Sequence, residues 1–266
     1  MKFVEKLAEV FGRGGAKFAA EVASCNEIGL VRKENQDSIY VDAERLAFCV
    51  ADGMGGGQGG AEASAIAKRL FAESVSSATS YPSRIRRAYE GIVAANSEIR
   101  AAARKNGFEH MGSTIAIFLA DERTGEGVIG YIGDSRVYLY RDGKLKQITR
   151  DHTLATELAS QNTGSVRCDA ANLERFSHVL TRALGAEEEV FPEWRKADIK
   201  LGDYFLICSD GLYGMMDFDS IASAFAGANT PEDALKSLTA NTVIGGATDN
   251  YSAIVIKIVP GPDARG

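Results

Sequence analysis

Leu46-Ala47-Phe48-Cys49-Val50-Ala51-Asp52-Gly53-Met54-Gly55-Gly56-Gly57-Gln58-Gly59-Gly60 is the stretch on which the reading of this chain turns. An apolar run of this length bounded by glycine has the signature of a buried strand. Asp52 stands where that strand stops, and the glycines behind it allow positive φ and let a ligand come close to the backbone. Such a layout suits a hard cation or a phosphate. An Asp-Gly pair taken alone is most often an ordinary turn, so the reading depends on whether the arrangement recurs.

It does recur. Gly127-Val128-Ile129-Gly130-Tyr131-Ile132-Gly133 is strand-like and runs into Asp134, while Asp203-Tyr204-Phe205-Leu206-Ile207-Cys208 runs into Ser209-Asp210-Gly211-Leu212. Near the end of the chain the order is reversed, with Asp249-Asn250 leading into the apolar strand Tyr251 to Val259. If these strands stack as two antiparallel sheets, their ends can converge, and carboxylates within a few ångströms of one another repel unless cations neutralise them. All-oxygen ligation suits Mg²⁺ or Mn²⁺, whereas zinc would call for His or Cys. His110, His152 and His178 are isolated, and there is no HExxH run. Two ions about 3.5–4 Å apart can lower the pKa of a bridging water and stabilise both oxygens of a displacement at phosphorus. Arg32, in the polar loop Gly29 to Ser38, can clamp a phosphate through its bidentate fork.

Around these strand ends the other elements fall into place. Ala61 to Ser77 has a helical pattern, and Pro82 suits the first turn of a second helix. There Ile85, Tyr89, Ile92, Val93, Asn96 and Ile99 recur at spacings of three and four as one core-facing stripe. From Gly112 the period changes to that of strands, and Arg141-Asp142-Gly143-Lys144 between two strand-like runs marks a hairpin. Successive strands joined by short turns mean an antiparallel sheet. Trp194, in a polar stretch after Pro192, fits a sheet edge, and helical patterns return at Phe218 to Phe225 and Pro231 to Leu238. Asp151 to Gly185 begins as a helix and becomes irregular through Gln161-Asn162-Thr163-Gly164-Ser165; a mobile flap beside a site and a plain surface excursion both fit.

The chain of 266 residues is 45% hydrophobic and 25% charged, which are globular values, and no Pro/Ser-rich linker or charge block divides it. One domain with a single large core is expected over residues 21–260, preceded by an extension at 1–20 and followed by a tail at 261–266. In the extension Phe3, Leu7, Val10 and Phe11 share a helical face, while Glu5, Lys6 and Glu9 interrupt any signal-peptide core. A short amphipathic helix of this kind can touch a membrane or partner, or pack on its own domain. No apolar run approaches the roughly 20 residues that span a bilayer. The formal net charge of -6 and the scattered Lys and Arg residues argue against nucleic acid. Cys25, Cys49, Cys168 and Cys208 form no CxxC pair and read as small apolar residues in a reducing compartment. A cytoplasmic monomer is expected.

The ordered set Arg32-Lys33-Glu34-Asn35-Gln36-Asp37, Asp52-Gly53-Met54-Gly55-Gly56, Gly112-Ser113-Thr114, Gly133-Asp134-Ser135-Arg136, Asp151-His152, Ser209-Asp210-Gly211-Leu212 and Asp249-Asn250 resembles the bacterial metal-dependent serine/threonine phosphatases of the protein phosphatase 2C type. Each motif is weak alone, but all of them in order, over about residues 21 to 258, are specific. The resemblance implies an α+β fold, a sandwich of two antiparallel β-sheets flanked by α-helices, with a binuclear Mn²⁺/Mg²⁺ centre at one end. It implies that Asp52 bridges both ions, with the Gly53 carbonyl on one and Asp210 and Asp249 on the other. Asp134 with Asp210 matches a third, weaker site; Asp37 orients metal-bound water and Arg32 holds the substrate phosphate. The segment after Asp151 corresponds to a substrate-facing flap. Implied partners are phosphoprotein substrates and a cognate Ser/Thr kinase.

Three positions depart from patterns in the family. Met54 stands where animal members have a histidine proposed as general acid, a replacement that many bacterial relatives share. Gly57 stands where many bacterial members have another histidine, and Gln36 replaces an acid that some members place near a metal. A non-enzymatic phospho-ligand module would be favoured by a broken acidic set, and none of the four strand-end aspartates is substituted. A calcium-binding structural domain would need ligands clustered in one loop, whereas these acids are dispersed along the chain.

Overall fold

The computed structural model describes residues 17–55, 58–161 and 175–264. The helical stripe at Phe3 to Phe11, together with Gly57, Cys168 and the irregular run beyond Gln161, lies outside the described residues.

The strands are apolar on both faces because each sheet is covered on both sides. In β3 (Ala47–Met54), Ala47, Cys49 and Ala51 face one core, and Phe48 and Val50 face another. β5 (Ile115–Ala120) repeats the division, with Ile115, Ile117 and Leu119 on one side and Ala116, Phe118 and Ala120 on the other. This is period-two alternation with both sides buried. The first core lies under α1 (Gln58–Ser76) and α2 (Tyr81–Asn106). The second lies between the sheets, where Phe118 of one stacks on Phe205 of the other at 4.3 Å between ring centres. A third lies under α3 (Phe218–Ala226) and α4 (Pro231–Ile244). The layers therefore run helix, sheet, sheet, helix.

One sheet has the order β2-β3-β5-β6-β9, comprising β2 (Asp37–Asp42), β3, β5, β6 (Gly127–Ile132) and β9 (Glu193–Lys196), with β4 (Gly112–Ser113) pairing β3. The other has the order β1-β11-β10-β7-β8, comprising β1 (Phe18–Glu27), β11 (Tyr251–Pro260), β10 (Tyr204–Cys208), β7 (Arg136–Arg141) and β8 (Lys144–Gln147). All the pairings are antiparallel. A sandwich of two antiparallel sheets between helices is the architecture the sequence led us to expect. The hairpin at Asp142-Gly143 forms between β7 and β8, and Trp194 lies on the edge strand β9.

β1 starts at Phe18, inside the segment read as an N-terminal extension, and pairs with β11 over its whole length, from Phe18 opposite Pro260 to Glu27 opposite Tyr251. Beyond that ladder Gly261 N–H donates to the Lys17 carbonyl at 2.9 Å. Helices start and stop where their caps dictate. Ser80 and Ser83 form a capping box ahead of α2, and Gly107 closes it in the left-handed conformation.

Candidate functional site

Strand register gathers the acids. Asp37 faces Asp52 across the β2–β3 ladder, so both sit at the same end of their sheet. Ile132 faces Ile115 at that end, and Asp134 follows two residues later. In the other sheet Cys208 lies between Arg136 and Ala253, which puts Asp210 just past one strand and Asp249 just before its neighbour. Asp52, Asp134, Asp210 and Asp249 consequently line one cavity of 280 Å³, together with Arg32, Gln36, Gly53, Thr114, His178 and Asn250. Asp37 is not among the lining residues. It is buried behind the wall, where its Oδ2 accepts from Ser209 Oγ at 2.6 Å and its Oδ1 has no partner among the described residues.

Several polar residues hold this geometry. Thr114 clamps Asp52 from both sides, its Oγ1 accepting from Asp52 N–H at 3.0 Å and its own N–H donating to Asp52 O at 2.8 Å. Ser135 shares a 2.7 Å hydrogen bond with the same Thr114 hydroxyl. Asn250, buried, ties down the loop that carries Arg32: its Nδ2 donates to the carbonyls of Ile28 and Glu34, and its Oδ1 accepts from Gln36 N–H. Arg136 pairs with Asp151 through Nε and Nη2 and lies 3.5 Å over the Tyr213 ring, while Tyr213 Oη donates to Asp134 O. Gly53 must be glycine, because a Cβ there would come within 2.0 Å of Gly60 O.

The electrostatics are those of crowded carboxylates. Burial, reinforced by Asp37, Asp210 and Asp134, pushes Asp52 well above the usual carboxylate range. Burial also raises Asp210, with Asp249 adding to the effect. Asp134 is pushed up to about 7 and Asp37 to about 6, in each case by burial first, with neighbouring carboxylates adding to it. The compensating positive group among the described lining residues is Arg32, whose Nη2 sits 2.6 Å from Asp249 Oδ2, and the His178 ring lies nearby with Nδ1 3.9 Å from Asp210 Oδ2.

Four carboxylates against one guanidinium leave a cavity short of positive charge, and its acidic donors are all oxygen. The residues therefore fit hard divalent cations. No three His, Cys, Asp or Glu side chains among the described residues already stand at ligating separation around one point. Asp249 is turned onto Arg32.

The profile of the protein phosphatase 2C family matches residues 31–241. The chain belongs to that family. Among curated relatives of this 2C-family chain, the serine/threonine protein phosphatase PstP of Mycobacterium tuberculosis is 34% identical over 239 residues, which are 89% of this chain and 45% of PstP. The chain thus spans about half the length of that relative. Among solved structures, PppA, described as a key regulatory component of the T6SS in Pseudomonas aeruginosa, superposes with a TM-score of 0.79 at 29% identity, covering 92% of this chain and 100% of that one. The catalytic domain of PstP in complex with two manganese ions gives 0.78 at 30%, covering 91% and 99%.

Sequence reasoning identified Arg32, Gly53 and the four strand-end aspartates as site residues, and the fold of this 2C-family chain brings all six to one cavity. It assigned no part to Thr114, Ser135, Ser209, Asn250 or His178. The signal available for Thr114, Ser135, Ser209 and Asn250 was their place inside the quoted motifs. His178 had none, because its approach to Asp210 depends on how the chain returns after residue 174.

Proposed function

We propose that this chain hydrolyses phosphoserine and phosphothreonine esters in proteins, with two Mn²⁺ or Mg²⁺ ions as cofactors. The observation that carries the reading is the convergence of four carboxylates from four strand ends on one cavity with Arg32 at its side. Asp52, the Gly53 carbonyl, Asp210 and Asp249 would hold the two ions, and Asp134 with Asp210 a third, weaker one. When bound, such ions neutralise phosphoryl oxygens and make a hydroxide-like nucleophile available near neutral pH.

The chain's own groups supply the rest. Arg32 has about half of its side chain exposed, so it can hold Asp249 along one edge while its remaining N–H donors meet phosphate oxygens. Asp37 does not reach the cavity surface; its free Oδ1 behind the cluster suits a positioning role, accepting a hydrogen bond from water that enters between the carboxylates. Met54 has no proton to give, and the titratable ring beside the cavity is His178, which can pass a proton to the leaving oxygen. The described helices include none long and apolar enough to cross a membrane. Cytoplasmic residence, with a Ser/Thr kinase producing the substrates, belongs to the same proposal.

The test is phosphate release from a phosphothreonine peptide with and without Mn²⁺. Release should require the metal and vanish in Asp52→Ala and Asp210→Ala, with Mn²⁺ binding weakened in parallel by calorimetry. Undiminished turnover in excess chelator would refute the proposal.

A further inference from the structure

Large apolar side chains are seldom left exposed in a cluster unless something covers them. Of the ten exposed among the described residues, five are Ile28, Leu30, Val31, Val243 and Ile244, and they belong to two segments that touch. Leu30 N–H donates to the Ala247 carbonyl, three residues after Ile244, and Gly29, at φ +76°, lies so close to the Asp249 carbonyl that a Cβ would come within 2.2 Å of it. Leu30 is 70% exposed and Ile244 83%. Beside them runs a groove of 710 Å³, lined in part by Cys25, Leu235, Val243, Ile244 and Tyr251.

This face is continuous with the phosphate side of the cavity, since Val31 is bonded directly to Arg32. Leu30 and Val31 lie in a turn that leads straight into Arg32, so at most about 7 Å of backbone separates Leu30 from Arg32. Charge selects among occupants. Arg32 and Lys33 border the patch, so a phosphorylated chain brings the complementary sign, whereas two copies meeting face to face would oppose like charges. The groove itself carries mixed charge, with Glu27, Glu232 and Lys236 lining it, and a net charge of -6 disfavours an anionic lipid surface.

We propose that Leu30, Val31, Val243 and Ile244 form a docking surface for apolar side chains of the phosphoprotein substrate, placed a few residues from its phosphorylated position. The proposal rests on the phosphatase reading and adds a preference in substrate sequence. The docked side chain leaves water on binding, so a tight fit is worth about a tenfold gain in kcat/KM.

The test uses phosphothreonine peptides in which a leucine is moved through the positions on either side of the phosphothreonine in a Ser/Gly background, with Mn²⁺ present. One or two leucine positions should raise kcat/KM about tenfold with the wild-type chain, an advantage that the double variant Leu30→Ser/Ile244→Ser removes. Hydrolysis of p-nitrophenyl phosphate, too small to reach the patch, should be the same in both proteins and reports an intact fold. A flat leucine scan overturns the proposal, as does a preference that survives in the double variant. A wild-type dimer that the double variant abolishes, or binding to phosphatidylglycerol vesicles that it abolishes, would assign the face to another occupant. Absence of turnover on every ester would instead defeat the phosphatase reading itself.

Discussion

His178 and His152 illustrate how single rings take opposite tasks. His178 is largely exposed and lines the cavity, so a role in protonating the leaving group predicts a dependence on that group. His178→Gln should lower kcat on a phosphothreonine peptide by about 10²-fold while sparing p-nitrophenyl phosphate, whose leaving group needs no proton; equal losses on both substrates would exclude the role. His152 is buried and structural: its Nδ1 accepts from Gly133 N–H at 3.1 Å, its backbone bonds to Gly133 and Thr181, and its ring stacks on Tyr131. Burial and the Arg182 charge hold it below its usual 6.5. The unfolded chain then binds the extra proton, so His152 contributes stability above about pH 6.5 that is lost as pH falls below it. Thermal unfolding of wild type and His152→Gln between pH 5 and 7.5 should show a steeper loss in the wild type at the acid end.

Among the elements, the two helices over the first sheet cross closely at Gly91, where a Cβ would stand 2.7 Å from Ser74 Oγ and 2.8 Å from the Leu70 carbonyl. Gly91→Val should force α1 and α2 apart and cost about 1–3 kcal/mol in denaturant unfolding, without a matching change in Mn²⁺ affinity, because no cavity residue lies on α2. The sequence alone makes α2 legible, because its apolar stripe has a helix period and Pro82 marks its start. Asp52, Asp134 and Asp210 are legible because each ends an apolar run, and Asp249 because it precedes one. β9 is harder to read: Glu193-Trp194-Arg195-Lys196 has no alternating apolar pattern, and it is a strand because the free edge of β6 offers it partners, with Trp194 packed over Gly130. The seat of Asp37 behind the cavity is hidden too. It follows from cross-strand register, which depends on the partner strand and the connecting turn as well as on β2 itself.

Across the whole molecule, four strand ends deliver negative charge to one place, and the folded chain carries the repulsion unless cations enter. Binding that is confined to the folded state stabilises by mass action, about 2.7 kcal/mol at a hundred times the dissociation constant. For a chain of this size that corresponds to a rise in Tm of roughly 5–10 °C. Mn²⁺ should produce such a rise in metal-stripped protein and none in Asp52→Ala/Asp210→Ala, as read by differential scanning calorimetry. The long β1–β11 ladder carries a different consequence. It sets Lys17 beside Gly261, and the Asp249 end of β11 lies about ten residues away, about 33 Å along an extended strand. Residues 17 and 261 therefore stand at the pole opposite the cavity. A short peptide joining residues 17 and 261 would yield a circular permutant with new termini cut into any exposed turn.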